Sequence, residues 1–464
     1  MMEFKNYRIT DTIEKIEKKI IGKNRERYMN LVEKIDQHPR YNMVLGAVMR
    51  TFENLSNEEV SYGHSGRMSL IITHNDTDGM GVAVIASAHQ CMYDRYEKSV
   101  IIHSDAVSLL HAFFALHLYY EVFDEEPRAV YIGDVTVDVD TIAIFREVFP
   151  STEFYYADHH ITNDLVAQKV NSFEYVNTIY EAKDGQLYDL NKEVFNGGCA
   201  CLSSIDSSES SYVQDIVEEI FRLGKGDYDK LSVSATALML SILRDSKWDE
   251  SIKNNLDTFA RTVSQWDTFE WRDHPQFNVG DEFIFPYALT FFPITQLTWW
   301  MCENMRKCCI CGESDNYISE NIWQAYKYGE KVSDMSLARM KRSYAVVETG
   351  AIIDDDADVI GETMPWYLCV VEFPHAGNQS MVFHQFMTGE IFEELEEKYG
   401  SIALATVSLD CNKLSFRSKG DIDVATVAKS LGGGGHKNAA GCDNGKAATV
   451  LREAFIEQNT KGRS

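Results

Sequence analysis

Carboxylates and imidazoles gather at a few points along this chain. His74, Asp76 and Asp78 alternate within His-Asn-Asp-Thr-Asp-Gly. Asp134 follows the apolar run AVYIG, and Asp158, His159 and His160 follow EFYYA. Asp245 comes just after the helical run Leu231–Leu243. Oxygen donors mixed with imidazole, with no cysteine among them, suit Mn²⁺, Mg²⁺ or Fe²⁺ rather than a thiolate metal. Two such ions bridged by one carboxylate are the usual apparatus for in-line attack at phosphorus. Singly, each element has a plainer reading. Asp-x-Asp-Gly is also a turn, a strand-end aspartate often caps a helix, and paired histidines are often surface residues. Four of them at successive strand ends are hard to obtain by chance.

The elements that would position these groups read as α/β. Strand-length runs at 68–73, 129–133 and 153–157 each end in Asp, His or a polar turn, with helical segments Val82–Cys91, Val107–Tyr120 and Thr141–Val148 between them. That alternation predicts a mostly parallel sheet whose site lies beyond the strands' carboxyl ends. If His74–Asp78 is extended, the alternation by two places its three ligands on one face. Residues 1–66 carry helical periodicity, with Ile13, Ile16, Ile20, Leu31 and Ile35 on one stripe, and read as a helical N-terminal extension. Residues 67–275 form the metal-binding domain, 276–341 a connector, and 342–464 a smaller α/β domain.

The second domain contains Gly-Gly-Gly-Gly-His-Lys at 432–437. Consecutive glycines let backbone N–H groups approach a phosphate closely. Gly433, Gly434, Gly435, His436 and Lys437 are therefore substrate-binding candidates, and Arg417 adds a planar fork suited to phosphate. Residues 411–437 hold five Lys/Arg against two Asp. The alternative is a flexible loop ahead of the last helix.

HNDTDG, the strand-end Gly-Asp, ADHH, RDS and the distant GGGGHKNAAG together resemble the DHH phosphoesterase superfamily and its DHH-associated C-terminal domain. The form of the first motif and the segment WDTFEW are most similar to NrnB-type nanoRNases and more distantly to RecJ. The resemblance implies two Mn²⁺, with Mg²⁺ as the alternative. His74 and Asp76 would hold one ion, Asp78, His159 and Asp245 the other, and Asp134 would bridge them. Asp158 would orient a histidine, and His160 would face the scissile phosphate.

Composition narrows the substrate. The 464 residues carry 44 Lys/Arg against 71 Asp/Glu, a net charge of −27, which argues against coating long nucleic acid by charge alone. Residues 1–40 are the basic exception, with ten Lys/Arg and seven Asp/Glu. Ten cysteines without a secretory leader read as free thiols in a cytoplasmic protein; Cys302, Cys308, Cys309 and Cys311 are the alternative, half of a zinc site. No apolar run reaches membrane-spanning length. The expectation is a cytoplasmic two-metal phosphodiesterase acting on a short single-stranded oligonucleotide, RNA rather than DNA, or on a small nucleotide. It would release mononucleotides, without a membrane partner, and a homodimer is its candidate assembly. A RecJ-like single-strand DNA exonuclease, a phosphodiesterase of cyclic or linear signalling nucleotides, and a nucleotide-binding regulator with a dead site are the rivals.

Overall fold

The computed structural model describes residues 9–20, 22–57, 67–93, 99–104, 108–135, 137, 139–157, 180–183, 186–189, 234–243, 248–267, 284–308, 318–349, 367–373, 379–409 and 412–461. The chain divides into two units, residues 1–285 with 293–322, and residues 286–292 with 323–464.

The first unit opens with three helices, α1 (Ile9–Glu17), α2 (Lys23–Asp36) and α3 (Tyr41–Asn57). There follow β1 (Ser69–His74), α4 (Thr77–Tyr93), β2 (Ser99–Ser104), α5 (Ser108–Phe123), β3 (Ala129–Gly133), α6 (Val139–Val148) and β4 (Glu153–Ala157). All four strands are parallel, in the order β2-β1-β3-β4. The expected α/β fold with a parallel first sheet is present. Strand β2 is an addition to the sequence reading; it ends in Ser104, one residue past His103. Register places Leu70, Val100, Val130 and Phe154 in one row and Ile72, Ile102, Ile132 and Tyr156 in the next. Both rows belong to one core together with α5, α6 and the apolar stripes of α1–α3, including Ile13, Ile16, Leu31, Ile35, Val48 and Phe52. Helices α1–α3 bear out the helical N-terminal region, and they complete the layer on this face of the sheet. The other face carries Ile71 and Tyr131 and packs against α4; burial on both faces is why the strands are near-continuous apolar runs.

A hairpin, β5 (Tyr180–Lys183) with β6 (Gln186–Asp189), and helices α7 (Ala235–Leu243), α8 (Glu250–Asp267), α9 (Ile284–Leu289) and α10 (Ile294–Arg306) come next. Helices α7, α8 and α10 all pack on α4.

The second unit takes most of α11 (Glu320–Arg342), whose Met340 belongs to its core; the boundary thus falls inside the segment read as a connector. Its sheet has the order β11-β12-β10-β9-β8-β7, from β7 (Ala345–Glu348), β8 (Tyr367–Phe373), β9 (Ile402–Ser408), β10 (Leu414–Arg417), β11 (Gly434–His436) and β12 (Ala439–Cys442). Only β8 and β9 pair in parallel. Cys369, Val371 and Phe373 share a core with α12 (Gln379–Met387) and α13 (Glu390–Tyr399). Leu368 and Val370 face the opposite core with α14 (Val424–Ser430) and α15 (Gly445–Lys461). The alternation of a strand covered on both faces accounts for the two cores.

Candidate metal centre

The strand order fixes where a site can form. From β1 the chain crosses one way to β2 and later the other way to β3, so the seam between β1 and β3 is the topological switch point. Thr73 pairs with Gly133 across that seam, which leaves His74 and Asp134 side by side at the carboxyl edge. Asp134 has φ 57, in the left-handed region that Asp tolerates better than most residues. Its amide donates to Ala157 O at 2.9 Å, tying it to the last residue of β4.

His74, Asp76 and Asp134 each place one donor atom within 4.8 Å of the others. His74 Nδ1 lies 2.7 Å from Asp76 Oδ2 and 3.7 Å from Asp134 Oδ2. The side chains of His74 and Asp76 are 35% and 44% exposed, whereas that of Asp134 is 2% exposed. The cluster thus has a buried floor and an open side. Asp76 also caps α4, accepting from Gly79 N at 2.9 Å. Gly79 must be glycine, because a Cβ there would come within 2.1 Å of His74 O.

Charge separates the two carboxylates. Burial works to raise the Asp76 carboxyl, but the hydrogen bond and charge of His74, with hydrogen bonds from Asp134 and Gly79, outweigh it and hold the group below the usual range. Asp134 goes well above its ordinary value, through burial first and then the negative charges of Asp76, Asp78 and Asp267. Crowded carboxylates beside one imidazole are a donor set that a hard divalent cation would neutralise, so the residues fit Mn²⁺ or Mg²⁺.

Asp78 does not share the extended backbone of His74. The chain does not stay extended after His74; α4 begins at Thr77, and Asp78 lies in its first turn. Its side chain is fully buried, and its carboxylate accepts from Ala235 N at 2.7 Å and Thr236 N at 2.9 Å. Its charge still acts on Asp134. Asp158, His159, His160 and Asp245 lie outside the described residues. In sequence the first three follow Ala157 directly, and Asp245 comes two residues after the end of α7.

The sequence reading does not single out His103. It sits near the end of β2 with Nδ1 3.3 Å from His74 O and Nε2 3.2 Å from Thr298 Oγ1. Burial lowers its pKa to about 4, so it stays neutral beside the site. The signal that could have found it is the one used elsewhere, an imidazole at the end of an apolar run.

The zinc alternative gains no support from Cys302. Burial pushes its thiol up to about 12, and it donates to Ser87 Oγ at 3.4 Å. Cys308 is buried, and Cys309 and Cys311 lie outside the described residues.

In the second unit the glycine run is not the flexible loop of the alternative reading. Gly432, at φ 83, ends α14, and Gly433 N donates to Ala428 O at 2.7 Å as in a helix C-cap. Gly434–His436 then form β11, at the edge of the sheet. Arg417 and His436 both pair with Ala439 of β12, one from each side, so their backbones stand about two strand spacings apart, ~10 Å. The Arg417 guanidinium carbon lies 5.7 Å from the Phe383 ring centre. Lys437 is exposed and pairs with Asp421 at 3.1 Å.

An α/β protein with a carboxylate–imidazole cluster at its switch point, a candidate cation site, is thereby defined. Residues 380–458, within the second unit, match the DHHA1 domain. No curated protein matches the chain significantly. Among solved structures, the pGpG-specific phosphodiesterase PggH of Vibrio cholerae is similar over 84% of this chain and 98% of its own, at 10% identity and TM-score 0.39. The DHH domain of a protein described as belonging to a family of ribosomal proteins is similar over 96% of both chains, at 12% identity and TM-score 0.41. The exonuclease RecJ bound to manganese is similar over 89% of this chain and 94% of its own, at 12% identity and TM-score 0.39. The chemistry of the site follows from its own residues, not from these likenesses. No helix among the described residues is long and apolar enough to cross a membrane.

Proposed function

We propose that this chain is a metal-dependent phosphodiesterase that hydrolyses short oligonucleotides to mononucleotides. The observation that carries the reading is the His74–Asp76–Asp134 cluster at the switch point. The DHHA1 match in the second unit supports it. Divalent cations held there would supply charge neutralisation at the phosphodiester and activation of water. His74, Asp76 and Asp134 would hold one ion, and Asp134, with Asp78, His159 and Asp245, a second. Asp134 fixes the buried side of the site, so the substrate meets the cluster from the open side of His74 and Asp76. Asp158 would orient a histidine, and His160 would meet the charge that develops on the scissile phosphate. Arg417, with the edge strand Gly434–His436, would hold a phosphate that does not react. Net charge −27 favours a short substrate, because a long strand needs a continuous basic track.

The test is cleavage by the full chain with Mn²⁺ of RNA and DNA dinucleotides, pentanucleotides and 30-mers, at two salt concentrations. The reading expects rates highest at two to five nucleotides and a shallow salt slope of about one or two counterions. Processive digestion of the 30-mers, with affinity falling steeply as salt rises, would replace it with the RecJ-like alternative.

A further inference from the structure

We propose that the first unit carries a second binding site, for a single guanine base, at the amino edge of its parallel sheet, opposite the cation cluster. A cavity of about 220 Å³ lies at that edge. Ser69, Ala129 and Glu153, the first residues of β1, β3 and β4, line it, whereas His74 ends β1 at the opposite edge. The alternation that sends Leu70, Val130 and Phe154 into one core turns Ser69, Ala129 and Glu153 to the α4 face. Ser69 and Ala129 are short, and the last part of α4 closes the space with His89 and Gln90. From Thr77 to Gln90 the helix rises ~20 Å, so the cavity and the cluster sit at opposite ends of α4. The volume falls below the roughly 300–1,000 Å³ of sites for drug-sized ligands, which suits one ring system rather than a dinucleotide.

The polar groups of the cavity define what it can hold. Gln90 is 3% exposed, and its side-chain carbonyl accepts from Ser99 Oγ. Its Nε2 is buried with no hydrogen-bond partner among the described residues. A buried donor left unpaired is costly, and an acceptor on a ligand would offset that cost. Arg128 lines the same cavity and adds guanidinium donors. Glu153 supplies the acceptor: Tyr155 Oη donates to its Oε2 at 3.0 Å, which holds the carboxylate and leaves lone pairs for a ligand. The Tyr155 ring stacks on Tyr131 at 4.9 Å between centres, and His89 meets both rings edge-on. His89 Nδ1 also lies 2.9 Å from Tyr131 Oη, so this aromatic wall is fixed before anything binds. Donors from Gln90 and Arg128, a carboxylate and an aromatic wall together match one base. Guanine presents O6 and N7 as acceptors and N1–H and N2–H₂ as donors. Adenine carries an amino group where guanine has O6, so it would set a donor against Gln90 and Arg128.

The test is equilibrium dialysis of guanosine, inosine and adenosine against the full chain in chelator. Guanosine has no phosphate, so neither a cation nor the Arg417 region has a charge to hold. The proposal expects guanosine to saturate one site per chain at or below about 1 mM. Inosine lacks the N2 amino group and should bind about tenfold more weakly or worse, and adenosine more weakly still. Glu153→Gln should weaken guanosine by about 10–150-fold, the effect of losing a charged acceptor, and bring guanosine and inosine close together. Gln90→Leu should weaken guanosine by about 2–10-fold. If Gln90→Leu does not fold, Glu153→Gln still decides, because Glu153 is exposed. A parent chain without saturable guanosine binding would overturn the proposal. So would equal binding of guanosine and adenosine, or guanosine binding unchanged in Glu153→Gln. The assay contains no free divalent cation, so its failure leaves the proposed cation chemistry untouched.

Discussion

At the scale of residues, the site is a matter of where each carboxylate can turn. Asp134 occupies a left-handed backbone position at the end of β3, where a side chain without local polar contacts is strained. Asn tolerates that conformation and Ala does not. Asp134→Asn should therefore fold like the parent while losing Mn²⁺ affinity by about 100-fold or more. Asp134→Ala should lose the same affinity and also ~1–2 kcal/mol of stability in chelator. Calorimetry and chemical denaturation separate the two effects, and equal stabilities would remove the backbone argument. The donor types are legible in the sequence, since His74, Asp76 and Asp134 are drawn together as the residues suggest. The place of Asp78 is not, because alternation by two puts side chains on one face only while the chain is extended. The helix starts at Thr77 with Asp76 as its cap, and an aspartate in that place reads equally as a cap or as a ligand on a longer strand.

At the scale of elements, glycine and histidine positions set what the fold tolerates. Gly79→Ala forces a Cβ against the main chain of His74, so either α4 or the end of β1 must move. The expected result is a loss of ~1–3 kcal/mol together with weakened Mn²⁺ binding. Gly434→Ala is the matched control, since a Cβ there meets nothing within 4 Å; a similar loss at both positions would mean that the steric explanation is wrong. His117 on α5 is wholly buried, 2.7 Å from Tyr28 Oη on α2 and 2.7 Å from Phe113 O. Burial lowers its pKa to about 4, against 6.5 ordinarily. Its folded pKa lies below its unfolded one, so its contribution is complete above pH 6.5 and is lost as pH falls from 6.5 towards 4. Within that window stability should fall by up to about 1.4 kcal/mol per pH unit. Urea unfolding of the parent and His117→Gln across the window checks this, and identical slopes would refute the assignment. The three strands that end in chemistry are readable from apolar runs of the right length. Strand β2 is harder to see, because its inside-outside burial at the edge of the sheet makes SVIIHS a weaker run than its neighbours. The glycine run resembles a loop because composition does not reveal that Gly441 and Ala440 stand ready to pair with it.

At the scale of the whole molecule, an acidic chain can handle an acidic substrate only where positive charge is local. Net charge −27 repels a polyanion at long range, and the carboxylates of the cluster add to that repulsion. Under the proposed function, catalysis on phosphodiesters would depend on cations that the cluster recruits. Cleavage of a dinucleotide by the full chain, stripped of metal and then titrated with Mn²⁺, tests this most directly. The account predicts no turnover in chelator, recovery as Mn²⁺ is added, and no recovery in Asp76→Asn at Mn²⁺ levels that saturate the parent. Undiminished turnover in chelator, or a fully active Asp76→Asn, would contradict it.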